Sequence, residues 1–115
     1  AGFALAAVGA RLVDGAALVC DLVGLDAAMA GASLVITGEG RLDSQTEFGK
    51  APAEVARRAR LTGMPCVAVA GSIAGGRQLF TAALALDDLG DDPRGNARPL
   101  LRLAGAGAVR LVEEL

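Results

Sequence analysis

Histidine is absent from this 115-residue chain, and lysine occurs only at Lys50. Because His is the side chain that ordinarily titrates near neutral pH, acid or base chemistry here needs a carboxylate, the lysine or a group from another chain. A Ser-His-Asp or Cys-His mechanism within the chain is therefore excluded.

Large aromatic side chains are also missing, since the chain has no Trp or Tyr and only three Phe, and its net charge is -2. A chain without a basic surface or stacking aromatics is unsuited to nucleic acid or an anionic membrane surface. Its longest apolar runs fall short of the roughly 18 residues that span a bilayer. We expect neither partner.

The two cysteines, Cys20 and Cys66, lie in separate apolar segments without CxxC or metal-ligand spacing. This pattern is typical of small buried side chains in a reducing compartment, and predicts a cytoplasmic protein.

The hydrophobic pattern predicts alternating helices and strands. In "DGAALVCDLVG", Asp14 is a good N-cap, and four aliphatic residues (Leu18, Val19, Leu22 and Val23) share one helix face. "SLVIT", from Ser33, is typical of a strand buried on both faces. "APAEVARRARLTG" predicts an amphipathic helix whose Arg57, Arg58 and Arg60 form a solvated face.

Further along the chain, "PCVAVAG" and "AALAL" read as strands and "GGRQLFTA" as a short helix between them, and a helix is expected from Pro99 to Leu115. Strands that alternate with helices imply a parallel sheet with right-handed crossovers. We predict an α/β fold: a three-layer Rossmann-like core with a short parallel sheet flanked by helices. A helical lead-in, residues 1–32, would pack on a core domain, residues 33–115.

In such sheets ligands bind at the carboxyl ends of the strands, which here are "TGEGRLD", "AGSIAGG" and "LDDLGDD". The first opens a charged loop containing Glu39, Arg41, Asp43 and Lys50. Arg41 can fork onto a carboxylate or phosphate, and Glu39 and Asp43, four residues apart, can face Mg²⁺.

Each of these features also has an ordinary structural interpretation. The GEG segment can be a tight turn, Asp43, Ser44 and Thr46 can cap the turn that comes next, and Lys50 can be a surface lysine. "AGSIAGG" can be a plain strand-to-helix turn rather than a phosphate nest. The four aspartates at 87, 88, 91 and 92 lack the spacing of a calcium loop and predict a solvated acidic turn.

The ordered set "TGEGRLDSQT", "GKAP" and "AGS" closely resembles the glycerate kinase family, in its type without a MOFRL domain, which phosphorylates D-glycerate with ATP. The resemblance runs from about Arg11 to Ser72 and is loose after Gly75. Phe48 and the pair Ala53-Glu54 depart from it. Family members are roughly three times longer, so the resemblance implies the C-terminal part of a two-domain enzyme whose N-terminal part is missing.

By position, the resemblance implies ATP and Mg²⁺ as cofactors, glycerate as substrate, and a site in an inter-domain cleft. Its catalytic residues would be Glu39, Arg41, Asp43 and Lys50, with Glu39 and Asp43 as the Mg²⁺ ligands. Residues that bind substrate or phosphate would be Gly38, Gly40, Ser44, Gln45, Thr46, Gly71 and Ser72.

Two other functions stay open on the sequence: a stand-alone module that binds a nucleotide or organic acid, and a structural domain whose charged loop only makes turns. The 2- or 3-hydroxyl as acceptor and the association of copies into a homo-oligomer are also undecided.

Overall fold

A computed structural model describes residues 1–115, which form five α-helices and three strands. In chain order these are α1 (Gly2–Ala7), α2 (Gly15–Leu22), α3 (Leu25–Met29), β1 (Val35–Leu42), α4 (Ala51–Leu61), β2 (Cys66–Ile73), β3 (Ala82–Ala85) and α5 (Ala97–Glu113). Short 3-10 turns at Arg77–Leu79 and Leu86–Asp88 flank β3. None of the helices is both long enough and apolar enough to cross a membrane.

The three strands form one parallel sheet in the order β1-β2-β3. The predicted parallel α/β arrangement is confirmed, although the helix expected between β2 and β3 is reduced to the 3-10 turn at Arg77–Leu79. The prediction that the first strand is buried on both faces was wrong. β1 is an edge strand, and its side chains alternate between buried Val35 and Ile36, which is 49% exposed.

Apolar residues cover both faces of the sheet and so create three layers. On one face, α3 and α4 pack on the sheet through Met29, Ala56 and Ala59, around the fully buried Leu42. On the other face, Leu100 and Ala104 of α5 pack on Val69 and Leu86. Because successive side chains of a strand point to opposite faces, Val69 and its neighbours Ala68 and Ala70 serve different layers.

The apolar stripe predicted on α2 exists but does not face the core. Asp14 caps the helix as expected, accepting from the backbone N–H of Ala17 at 2.9 Å. Leu22 and Val23 are nevertheless 76% and 70% exposed, and Cys20 is the buried residue of this helix. Periodicity identifies an apolar face but not the surface that covers it.

The basic face predicted on α4 is only partly solvated, because Arg58 is buried. Its guanidinium contacts Glu54 Oε1 and Asp21 Oδ1 at 2.7 Å and Asp26 Oδ2 at 3.2 Å. It also donates to the carbonyl of Ala17 at 3.0 Å. Arg58 therefore ties α2 and α3 to α4. The hydrogen bonds that Arg58 donates to these carboxylates, first that to Glu54, raise its pKa.

Candidate functional site

A cavity of about 970 Å³ lies at the carboxyl ends of all three strands. Strands β1 and β2 and the segment that directly follows β3 contribute residues to its lining, as expected for a parallel sheet with helices on both faces. On the side of β1 and β2 the lining includes Gly38, Glu39, Gly40, Arg41, Gly71 and Ser72. The cavity is where the sequence placed the site, and its size suits a small-molecule ligand.

The glycines of this wall lie within strands, not in the loops that the sequence suggested. Residues 38–41 belong to β1 and residues 71–72 to β2, and Arg41 pairs with Ser72 in the sheet register. A Cβ at Gly71 would lie 2.6 Å from the carbonyl oxygen of Gly40, and one at Gly38 would lie 3.0 Å from that of Val69. These two glycines therefore allow neighbouring backbones to approach. Gly71 and Ser72 lie within β2, rather than in the strand-to-helix turn or the phosphate nest that the sequence left open.

Glu39 links the cavity to the turn that follows β1. Its Oε1 lies 3.2 Å from Lys50 Nζ, and its Oε2 accepts from the hydroxyl of Thr46 at 3.1 Å. Thr46 is fully buried, and its oxygen also accepts from the backbone N–H of Asp43 at 3.1 Å. Both carboxylate oxygens of Glu39 are thus engaged inside the protein.

The turn itself is organised by Asp43, whose Oδ1 accepts from the backbone N–H of Gln45 at 2.8 Å. Its Oδ2 makes only a 3.8 Å contact with Arg41 Nε. The backbone at Asp43 and Ser44 lies close to Gly75 and Gly76, where a Cβ would fall 3.4 Å and 3.0 Å from it. This geometry is that of the capped turn that the sequence offered as the structural alternative.

The predicted site residues therefore fall into two groups. Six line the cavity (Gly38, Glu39, Gly40, Arg41, Gly71 and Ser72), and five lie in or after the turn and do not (Asp43, Ser44, Gln45, Thr46 and Lys50). Lys50 is the N-cap residue of α4 and lines a separate small hollow of about 140 Å³. Glu39 is the residue that joins the groups, since it lines the cavity and contacts Lys50 and Thr46.

The opposite wall of the cavity was not predicted. It is formed by Leu86, Asp87, Asp92, Pro93, Arg94, Ala97 and Leu101, from the segment between β3 and the first turns of α5. Asp92, interpreted as part of a solvated turn, is exposed and has a left-handed backbone with φ of 48°. The position of "LDDLGDD" after a strand pointed to this edge, but no pattern showed that α5 would turn back over it.

A bound Mg²⁺ is a weak fit to these residues taken alone. No group of three potential ligands among His, Cys, Asp and Glu is assembled anywhere in the chain. Glu39 is already paired with Lys50, and a cation would have to displace that ammonium. Of the two predicted ligands, Glu39 and Asp43, Asp43 is better placed to accept a cation, because its Oδ2 makes only one long contact.

Comparison with known proteins identifies the family. The sequence model of the glycerate kinase family matches residues 1–87. The chain belongs to the glycerate kinase family. Among its relatives, the glycerate kinase of Bacillus cereus is 45% identical over 69 residues, and the glycerate 2-kinase of Escherichia coli is 41% identical over 69 residues. Each alignment covers 60% of this chain and 18% of the relative.

A solved structure, assigned as glycerate kinase 2 from Salmonella typhimurium LT2, is 43% identical in sequence, with a TM-score of 0.47. The match covers 59% of this chain and 18% of that one. The aligned part of the chain thus spans about a fifth of the length of the curated relatives. The family match ends at Asp87, so five of the seven residues of the second wall lie beyond it.

Proposed function

We propose that the chain is part of a glycerate kinase that transfers the γ-phosphoryl group of ATP to a hydroxyl of D-glycerate. The observation that carries this proposal is that the family match includes both strand ends on the first wall of the cavity. The two unpaired cysteines favour a reducing, cytoplasmic location.

Phosphoryl transfer depends mainly on positioning and on neutralising charge, and Arg41 is the residue best placed for both. Its side chain is 66% exposed, lines the cavity and has only the long contact with Asp43. A guanidinium in this state is available to fork onto a carboxylate or a phosphoryl group. We assign Arg41 the anion contact, with Ser72 beside it in the neighbouring strand.

Glu39 and Lys50 have a joint role in this proposal. Lys50 lies against one carboxylate oxygen of Glu39, and Thr46 donates to the other, so the carboxylate is held in one orientation at the rim of the cavity. Glu39 then orients the attacking hydroxyl, while Lys50 and Thr46 position Glu39. Mg²⁺ would be held mainly by ATP phosphates and water, as this ion prefers, with Asp43 as its protein ligand.

The proposal also requires the rest of the enzyme, and the surface of the chain supports this requirement. The accessible area is 7223 Å², whereas a folded monomer of 11.4 kDa exposes about 5,800 Å². The radius of gyration is 15.9 Å, against about 13 Å for a compact domain of this length. The excess of roughly 1,400 Å² is more than the ~800 Å² that each partner contributes to a standard interface.

Large apolar side chains are exposed on α1 and α2 and at the C-terminal ends of these helices. Phe3, Val8, Leu22 and Val23 are each at least 70% exposed. We propose that the remaining part of the glycerate kinase polypeptide covers this face. The relatives contain enough additional polypeptide to cover such a face, since the matched segment is only 18% of their length.

The test is a chimera in which residues 1–87 replace the corresponding residues of the Bacillus subtilis glycerate kinase, a relative 45% identical over 64 residues. We expect glycerate-dependent consumption of ATP. Arg41→Ala should lower kcat/KM by roughly 10²–10³, the usual loss when a donor to developing charge is removed. Arg60→Ala, an exposed arginine of α4 outside the cavity, is the matched control.

The outcomes separate the claims. A folded chimera without activity contradicts the proposed function. An active chimera in which Arg41→Ala behaves like Arg60→Ala contradicts the role of Arg41 alone. If neutral replacements of Glu39, Arg41 and Asp43 all leave activity unchanged, the loop is only structural.

One observation favours a second function, a stand-alone binding module: the cavity is formed entirely within these 115 residues. Calorimetry of the chain alone with ATP-Mg²⁺ and with glycerate tests it. Binding to the isolated chain together with an inactive chimera supports the module, whereas absence of binding to the isolated chain contradicts it.

A further inference from the structure

The two walls of the cavity differ in chemistry. The first wall, from β1 and β2, consists of glycines and polar side chains, chiefly Glu39, Arg41 and Ser72. The second wall presents the apolar groups of Leu86, Pro93, Ala97 and Leu101, together with the guanidinium of Arg94 and the carboxylates of Asp87 and Asp92. A ligand that fills the cavity therefore needs an anionic end and an apolar, flat or bulky end.

Glycerate does not have this shape, because it is a three-carbon acid in which every carbon carries oxygen. It would occupy only a small part of a cavity of about 970 Å³ and would leave the apolar wall without contacts. A nucleoside triphosphate does have an anionic end and a large base. The base has an aromatic face that packs on aliphatic side chains and stacks on a guanidinium.

We infer that the second wall binds the nucleoside part of ATP, with Leu101 and Pro93 against the base and Arg94 alongside, while Arg41 on the first wall takes the phosphates. This inference rests on the proposed function and adds a location for the base. Most of the second wall comes from residues 92–101, which lie beyond the family match. The nucleotide preference of this chain is therefore set by a segment that the family does not share.

The inference is tested by binding to the 115-residue chain, with ATP carrying a fluorescent methylanthraniloyl group on its ribose as the probe. Unlabelled ATP, inorganic triphosphate and adenosine serve as competitors. Leu101→Asp should weaken the binding of ATP at least about tenfold, the effect of losing one buried leucine contact. The same substitution should change the concentration of triphosphate that displaces half of the probe by no more than about twofold, since the phosphates contact the other wall.

Leu103→Asp is the matched control, because Leu101 and Leu103 lie on α5 with exposures of 50% and 53%, and only Leu101 lines the cavity. Leu103→Asp should bind ATP as the unsubstituted chain does. Equal affinities of the two variants, or competition by triphosphate as strong as that by ATP, would overturn the inference and leave the proposed function intact. Absence of any ATP binding would also overturn it, whereas the chimera assay judges the proposed function separately.

Discussion

Replacing Gly71 by Ala tests the claim that this glycine serves the approach of two strands. The added Cβ would lie 2.6 Å from the carbonyl oxygen of Gly40, where ordinary contacts begin at 3.4 Å. β1 and β2 would have to separate by roughly 0.8 Å, and overpacking of this kind costs about 1–3 kcal/mol. Ala in place of Gly returns about 0.5–1 kcal/mol of backbone entropy. The net loss of stability should be about 1–2 kcal/mol.

The neighbouring glycine supplies the control, because a Cβ at Gly40 would have no heavy atom within 4 Å. Gly40→Ala should therefore be neutral or slightly stabilising. Urea unfolding of the 115-residue chain and both variants measures the difference. With an m-value of about 1–2 kcal/mol/M, Gly71→Ala should lower the midpoint by roughly 1 M.

Equal midpoints for the two variants would refute the reasoning, since they would show that the strands accommodate a methyl group at either position. A stabilised Gly71→Ala would refute it more strongly. The measurement also concerns the site, because both glycines line the cavity and separation of the strands would widen its first wall.

Two further predictions concern the turn and α4. Thr46→Val should destabilise the chain by about 1–3 kcal/mol in urea unfolding, because the partly buried N–H of Asp43 and the carboxylate of Glu39 lose their partner, whereas Thr46→Ser, which keeps the hydroxyl, should retain most of the stability. The hydrogen bond from Arg57, and also that from Arg58, lowers the pKa of Glu54 from 4.5 to about 2 against the effect of burial. The stability this provides is complete above pH 4.5 and is lost as the pH falls toward 2. Glu54→Gln should flatten this part of the pH profile in thermal unfolding, and an unchanged slope would contradict the assignment.

Local patterns were sufficient to predict most of the secondary structure. Asp14 caps α2 because its short carboxylate reaches a free N–H of the first turn, an interaction between residues three apart. The alternation of apolar strands and amphipathic helices predicted the parallel sheet, and the polar segments after the strands predicted where a cavity would lie. These features depend on neighbours in sequence, which a pattern can record.

Burial was predicted less well. Arg58 was expected in solvent, but acids from three helices surround it, and Asp21 and Asp26 are more than thirty positions away. Conversely, Leu22 and Val23 form the expected stripe and remain exposed. The periodicity of apolar residues in the sequence indicates which side chains share a face, but only the packing of the folded chain decides what lies against that face.

The sequence by itself determined the chemistry available to this protein: carboxylates, arginines and one lysine, without histidine, gathered at the ends of parallel strands in segments shared with the glycerate kinase family. Only the tertiary structure decided how those groups are divided, since a side chain's partners depend on distances through space. It placed Lys50 and Thr46 on Glu39, left Arg41 facing the cavity, and closed that cavity with α5, whose residues carry no recognisable motif.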